Sequence, residues 1–437
     1  MKTTTKIINR AILVVVLILQ GCTINEESIG DVTINPGGGT GGNECIQLSG
    51  EITSDITLTS DNCYELVGGV SVVAGVTITI EAGTRIIGGQ TSDGIYSYLL
   101  INQGATIMAE GTASQPIVFT SNQATPNPGD WGGLIIAGRA PINRGETATA
   151  EVANISYGGT DANDNSGIIR YVRLEYTGGR INADSEYNGL SLYGVGSGTT
   201  LEYIQTYLGN DDGIEFYGGT VDLKYAVSTG AQDDSFDWTD GWVGRGQFWV
   251  VQQTSLEGDK GIEADNLSST PDAIPFSYPT LSNITLLGAE DGDGENKGIE
   301  FRAGTKVAAY NVIIKGFPGK GIEVDDDQTL INLNNGEIEV RNSIIDNVNS
   351  FDLDHGGNAT ADFADFATYS NYTLDGSGAP FNNIGTAIPD DFELEGIRGT
   401  YGTNAIDPST IDTWFTPSNY VGAVSASNDW TQGWVRF

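Results

Sequence analysis

Cations are scarce in this chain: lysine and arginine together number 20 against 57 acids, and histidine occurs once, at His355. The formal charge of −37 excludes nucleic acid and anionic lipid surfaces as partners, because both would be repelled. A lone histidine leaves Ser-His-Asp chemistry without a recognisable motif, and it reads as a loop residue. Phosphate-binding glycine loops and thiol catalysis find no motif either. Beyond the amino terminus no run is apolar enough to span a bilayer, and none keeps a helical period. What is present is glycine, 60 residues of it, punctuating short runs of Val, Ile, Thr, Leu and Tyr. That is strand material for one large domain or two modest ones.

The first 21 residues read as a signal peptide. Lys2, Lys6 and Arg10 surround the start of the apolar run 11–19, too short for a transmembrane helix and right for a secretory segment. Leu19-Gln20-Gly21-Cys22 resembles the lipobox of bacterial lipoproteins, with Gln20 an atypical occupant. The resemblance implies cleavage before Cys22, acylation of its thiol by palmitate-class chains, and a lipid anchor in the outer membrane. Glu26-Glu27 looks like the signal that sends Bacteroidota lipoproteins to the cell surface. Residues 22–44 are then the lipidated cysteine and a flexible, glycine-rich tether. Cys45 and Cys63 are an even pair in an oxidising compartment, which predicts a disulfide. With no histidine near them, a metal site there is disfavoured.

An internal repeat selects among all-β architectures. Asn210-Asp211-Asp212-Gly213-Ile214-Glu215-Phe216 aligns with Gln232-Asp233-Asp234-Ser235-Phe236-Asp237-Trp238 at an offset of 22 residues. The core of the motif returns at Lys260-Gly261-Ile262-Glu263, Lys297-Gly298-Ile299-Glu300 and Lys320-Gly321-Ile322-Glu323, with a weaker copy at Ser350-Phe351-Asp352. Such a unit is one coil of a right-handed parallel β-helix, which buries its inner face only by stacking on neighbours. The expected organisation is a parallel β-helix over 45–354 and an irregular cap over 355–437 that covers the open carboxyl-terminal end.

The run 129–143, GDWGGLIIAGRAPIN, with DDSFDWTDGW at 233–242 and NDWTQGW at 428–434, resembles a Bacteroidota β-helix outer-membrane lipoprotein family, related to β-helix lipoproteins of leptospires. The similarity covers most of the mature chain. It implies the fold and the location, and hints at a role beside a TonB-dependent outer-membrane transporter.

Alternation aims the acid of each Gly–apolar–acid–apolar strand outward, so Glu215, Asp237, Glu263, Glu300, Glu323 and Asp352 share one face. At about 4.8 Å, like charges repel by roughly 1 kcal/mol even in water, so the column costs on the order of 5 kcal/mol unless offset. Lys260, Lys297 and Lys320 offset it in three coils, and mutual pairing explains the acids there. In the two preceding coils Asp211, Asp212, Glu215, Asp233, Asp234, Asp237 and Asp240 crowd together without a lysine. Ca2+ suits such an oxygen cluster; solvated loop acids are the plain alternative. Of the nearby aromatics, Phe236 and Trp238 should point inward, which leaves Trp242 as the exposed, ligand-binding candidate.

The acids also resemble the carboxylate pairs of β-helix polysaccharide hydrolases. The Gly-His-Gly and Arg-Ile-Lys segments of pectin hydrolases are missing, and a lyase would have to use Arg245 or Lys260 outside any recognisable motif. These failures favour a non-catalytic accessory lipoprotein with a cation-binding face, taking a glycan or cationic ligand. The alternative is a polysaccharide lyase or glycoside hydrolase.

Overall fold

The computed structural model describes residues 45–150, 152–182, 185–254, 258–289, 296–346, 349–354, 384–385, 405–425 and 429–437. The signal segment, Cys22, the tether and His355 lie outside the described residues, as do the side chains of 349–354.

Alternating short strands stack as coils. One sheet holds Leu134–Ala137, Leu190–Tyr193, Ile214–Tyr217, Phe236–Thr239, Lys260–Ala264, Lys297–Phe301, Lys320–Asp325 and Asn349–Asp354, each parallel to the next. Between them run longer strands, from Gly167–Glu175 to Val307–Lys315, also parallel. Each of these bends at one residue with positive φ: Tyr171, Tyr203, Tyr225, Phe248, Asn283 and Asn311. The bend gives every coil a corner and skips one position in the register. Only Ala148–Thr149 and Ser156–Tyr157 pair antiparallel among the described strands. This is the expected right-handed parallel β-helix.

The inward positions of the first sheet form unbroken columns. Leu190, Ile214, Phe236, Ile262, Ile299 and Ile322 stack in register and are fully buried. The glycine that opens most repeats, Ser235 taking its place in one, has a steric reason. A Cβ on Gly213 would lie 2.4 Å from the Ser235 carbonyl oxygen, and one on Gly298 would lie 2.4 Å from that of Gly321. The neighbouring coil therefore leaves no room for a side chain.

Cys45 and Cys63 are bonded, with 4.5 Å between their Cα atoms, and tie the first coil. Trp131 of the 129–143 run is buried and donates Nε1–H to the Glu175 carbonyl at 2.8 Å, so that motif is a packing device. One helix, Asp327–Asn334, interrupts the strands, with Asp326 accepting from the Thr329 amide at its amino end. Nothing in the sequence periodicity announces it.

The described part of the last segment, 405–437, lies on the flank rather than over an end. Asn311, Asn283, Gln247 and Gln205 hydrogen-bond its backbone at Ile406, Tyr420, Thr416 and Arg436. Trp434 is buried edge-on against Tyr171 and Tyr203. The expected covering of the carboxyl-terminal end falls on residues 355–404, almost all outside the described ones.

Candidate functional site

The acid column exists. Strand register places Ser191, Glu215, Asp237, Glu263, Glu300, Glu323 and Asp352 in one line. Outward orientation has not left these side chains solvated: Glu215, Asp237, Glu300 and Glu323 are buried, each shielded by its stacked neighbours.

From Lys260 onward the charges are matched. Lys260 lies 3.1 Å from Glu263 and 3.5 Å from Glu300, and also pairs with Asp259. Lys297 lies 2.6 Å from Glu300 and pairs with Glu323. Arg302, which the repeat did not single out, reaches Glu263 at 2.9 Å and Asp265 at 2.8 Å. Burial opposes the Lys297 charge, yet the two glutamates hold its pKa up at about 12.

In the two preceding coils no salt bridge reaches Asp212, Glu215 or Asp237 among the described residues, although the Lys260 charge favours the ionised form of Asp234. Asp212 accepts the Asp234 amide at 3.0 Å, and Asp234 accepts the Lys260 amide at 2.7 Å, so each caps the next coil. Glu215 receives Asn188 Nδ2–H at 2.5 Å. Asp237 Oδ1 is buried and no protein group donates to it. Burial first, then the neighbouring carboxylates, push Asp212, Glu215, Asp234 and Asp237 well above the ordinary carboxylate range.

The acids converge in three groups: a deep layer and a rim layer that share Asp212, and a third of Asp233, Asp234 and Asp259. In the deep layer, oxygens of Asp212, Glu215 and Asp237 lie within 4.8 Å of one another, all buried. In the rim layer, Asp211, Asp212 and Asp233 converge equally closely, with Asp233 exposed. Asp233 is also pushed up, by partial desolvation of its carboxyl and by the Asp259 charge. The deep layer fits a hard cation: it offers three oxygens and an orphaned Oδ1 that a shared proton or a bound ion would satisfy.

Three expected positions are elsewhere or differently disposed. Trp242 is fully buried, stacked 4.0 Å from Phe216, with Nε1–H donated to the Val221 carbonyl at 3.0 Å. The left-handed turn at Asp240 and Gly241 re-aims the indole into the core, so it offers no ligand-binding face. Asp240 belongs to a separate buried group, accepting Arg144 Nε at 2.6 Å and the Tyr157 hydroxyl at 2.5 Å. Arg245 lies on the strapped flank, bound to Asp222 at 2.6 Å and Asp412 at 3.0 Å.

Stacked parallel coils with columns of like residues define a parallel β-helix protein carrying a carboxylate centre on one outer sheet. More particularly, the chain belongs to the pectate-lyase like beta helix domain family, whose profile matches residues 50–435. Among solved structures it is similar to the enzymatically active domain of bacteriophage CBA120 tailspike protein 2, with 14% identity and a TM-score of 0.23 over 75% of this chain and 42% of that one. It is also similar to full-length tailspike protein 2 from the Escherichia coli O157:H7 bacteriophage CAB120, at 13% identity and a TM-score of 0.22 over 75% and 38% of the two chains. The chain thus spans less than half the length of either tailspike. No curated protein matches it.

Proposed function

We propose that the protein acts on polysaccharide at the carboxylate rim, as a glycoside hydrolase of the β-helix type. The observation that carries this reading is the convergence of Asp211, Asp212 and Asp233 within 4.8 Å at the edge of a sheet. Membership in the pectate-lyase like family supports it at the level of the fold.

Carboxyl spacing decides among mechanisms. Inverting hydrolysis needs about 6.5–9.5 Å for a water between the two groups, whereas double displacement works at about 5–5.5 Å. The rim oxygens, within 4.8 Å of one another, are too close for the first geometry and are compatible with the second. Asp233, exposed and holding its proton to higher pH than an ordinary aspartate, is placed to protonate a leaving oxygen. Asp211 is placed to attack the sugar carbon. Asp212, buried beneath and bonded to the Asp234 amide, orients the pair.

A lyase lacks its base. Lys260 is paired with Asp259, Glu263 and Glu300; burial opposes its charge, but Asp234, Glu263 and Asp259 raise its pKa, so it stays protonated. Arg245 faces the other flank.

The deep layer supports a second element of the proposal, a Ca2+ held by Asp212, Glu215 and Asp237. Its part is to neutralise acids that no lysine reaches. The anchor on Cys22, surface display from the outer membrane and work beside a TonB-dependent transporter complete the proposal, and they rest on the amino-terminal residues and the lipoprotein resemblance.

The test is a panel of neutral and acidic glycans incubated with the full chain and scored for new reducing ends. Hydrolysis abolished by Asp233→Ala and by Asp211→Ala supports the reading. Unsaturated products would replace it with a lyase, and tight glycan binding without products would make the protein a non-catalytic receptor.

A further inference from the structure

A cleft of about 580 Å3 opens at the far edge of the sheet that carries the acid column. Three successive turns build it. Ser268, Pro271 and Asp272 follow the strand Lys260–Ala264, Arg302 follows Lys297–Phe301, and Gln328 and Ile331 sit on the helix after Lys320–Asp325. Its volume is in the range of small-molecule sites. These coils lie one to three strands beyond Asp237, roughly 5–14 Å along the solenoid axis. The rim acids precede their strands while the cleft residues follow theirs, so a strand length of roughly 13–17 Å across the sheet adds to this, and a longer oligosaccharide is needed to reach both.

The chemistry of the walls restricts the occupant. Arg302 is the one cation among the lining residues, and Glu263 and Asp265 beneath it already balance its charge, although 36% of the side chain stays exposed. Asp272, Asp325, Asp326 and Asp327 add four carboxylates at the mouth. A uronate or other anionic sugar entering here meets repulsion on every side with no free cation to receive it. Hydroxyl groups meet the reverse, because the exposed carboxylate of Asp272 accepts from them, while Arg302 and Gln328 already donate to Asp265, Glu263 and Asn332. Ile331, 44% exposed, and Pro271 supply an apolar strip for the C–H face of a ring.

We propose that this cleft is a subsite for uncharged hexose units, and that the glycan the protein handles carries no carboxylates. The inference rests on the polysaccharide reading of the rim and names its substrate class, in contrast to the acidic polymer in the family's name.

Calorimetric titration separates the two proposals. Cello-, manno- and maltohexaose, hexagalacturonate and a glucosamine hexamer are titrated into the full chain and into the Asp233→Ala variant, where binding is read without turnover. At least one neutral hexasaccharide is expected to bind both proteins, and hexagalacturonate is expected neither to bind nor to compete. Replacing Gln328 and Ile331 together by alanine should weaken that binding about tenfold; Ile331 is exposed, while the half-buried Gln328 also donates to Asn332 at 3.0 Å, so thermal unfolding checks that the variant is folded at the titration temperature. Hexagalacturonate binding as tightly as the neutral sugars overturns the proposal. So does tighter binding of the glucosamine hexamer, unchanged affinity in the double variant, or no binding of any neutral hexasaccharide at millimolar concentration. Hydrolysis that survives a failed cleft test sinks only the cleft, and cleft binding without hydrolysis sinks only the rim.

Discussion

Replacing Asp237 by asparagine should stabilise the metal-free protein above neutral pH. Glu215 and Asp237 occupy paired positions on adjacent strands, about 4.8 Å apart, with no cation between them. At an effective dielectric of about 20 their repulsion is roughly 3.5 kcal/mol, and at that of water it is below about 1 kcal/mol. Asparagine keeps the shape, removes one charge and gives Glu215 a donor. The gain should therefore fall at roughly 1–3 kcal/mol, a rise in Tm of about 1–4 °C for a domain of this size. The pH dependence has a definite sign. A carboxyl raised in the folded state holds a proton that the unfolded chain has released, so stability falls as pH climbs from the ordinary carboxylate range toward the raised value. The advantage of Asp237→Asn should vanish near pH 4 and grow as pH climbs from there toward the raised value. Thermal unfolding in EDTA at several pH values measures this. A variant less stable than the parent at pH 8, or a difference independent of pH, would refute the reasoning.

Other perturbations follow from the same geometry. Lys297→Met leaves Glu300 and Glu323 without their shared cation and should cost about 3–5 kcal/mol at neutral pH, less in acid, by the same unfolding assay. Trp434→Ala should remove about 3–5 kcal/mol of packing and release the carboxyl-terminal strap, read as early proteolytic loss of residues 405–437. Gly298→Ala places a methyl 2.4 Å from the Gly321 carbonyl oxygen and should lower Tm by several degrees, whereas a neutral effect would show that the coils are less tightly stacked. Reduction of Cys45–Cys63 should cost about 3 kcal/mol on a chain-entropy estimate, with faster hydrogen exchange confined to the first coils.

Much of the architecture is legible in the sequence because the repeat is written in residues that touch their own copies. The offset of 22 residues between Glu215 and Asp237 is the strand register itself. The glycine before most apolar–acid pairs, as at Gly213, Gly261 and Gly298, marks where the next backbone comes closest. Lysines three residues before the acids pair as that spacing implies. Alternation fails where a turn intervenes: it carries Phe236 and Trp238 inward, but past the positive-φ Asp240 it has no authority over Trp242. The strap was unreadable because its partners, from Arg173 to Asn311, are far away in sequence and share no motif with it. The division of the acids into a deep and a rim layer was also hidden. It depends on Asp212 and Asp234 turning their side chains to cap the next coil, which a pattern of types does not reveal.

Calorimetric titration of Ca2+ into the metal-free protein at neutral pH tests most directly whether the uncompensated acids are a built centre. The account predicts saturable binding of a single ion, a matching rise in Tm, and loss of both in Asp237→Asn. Absence of binding in the parent, or binding unchanged in the variant, would contradict it.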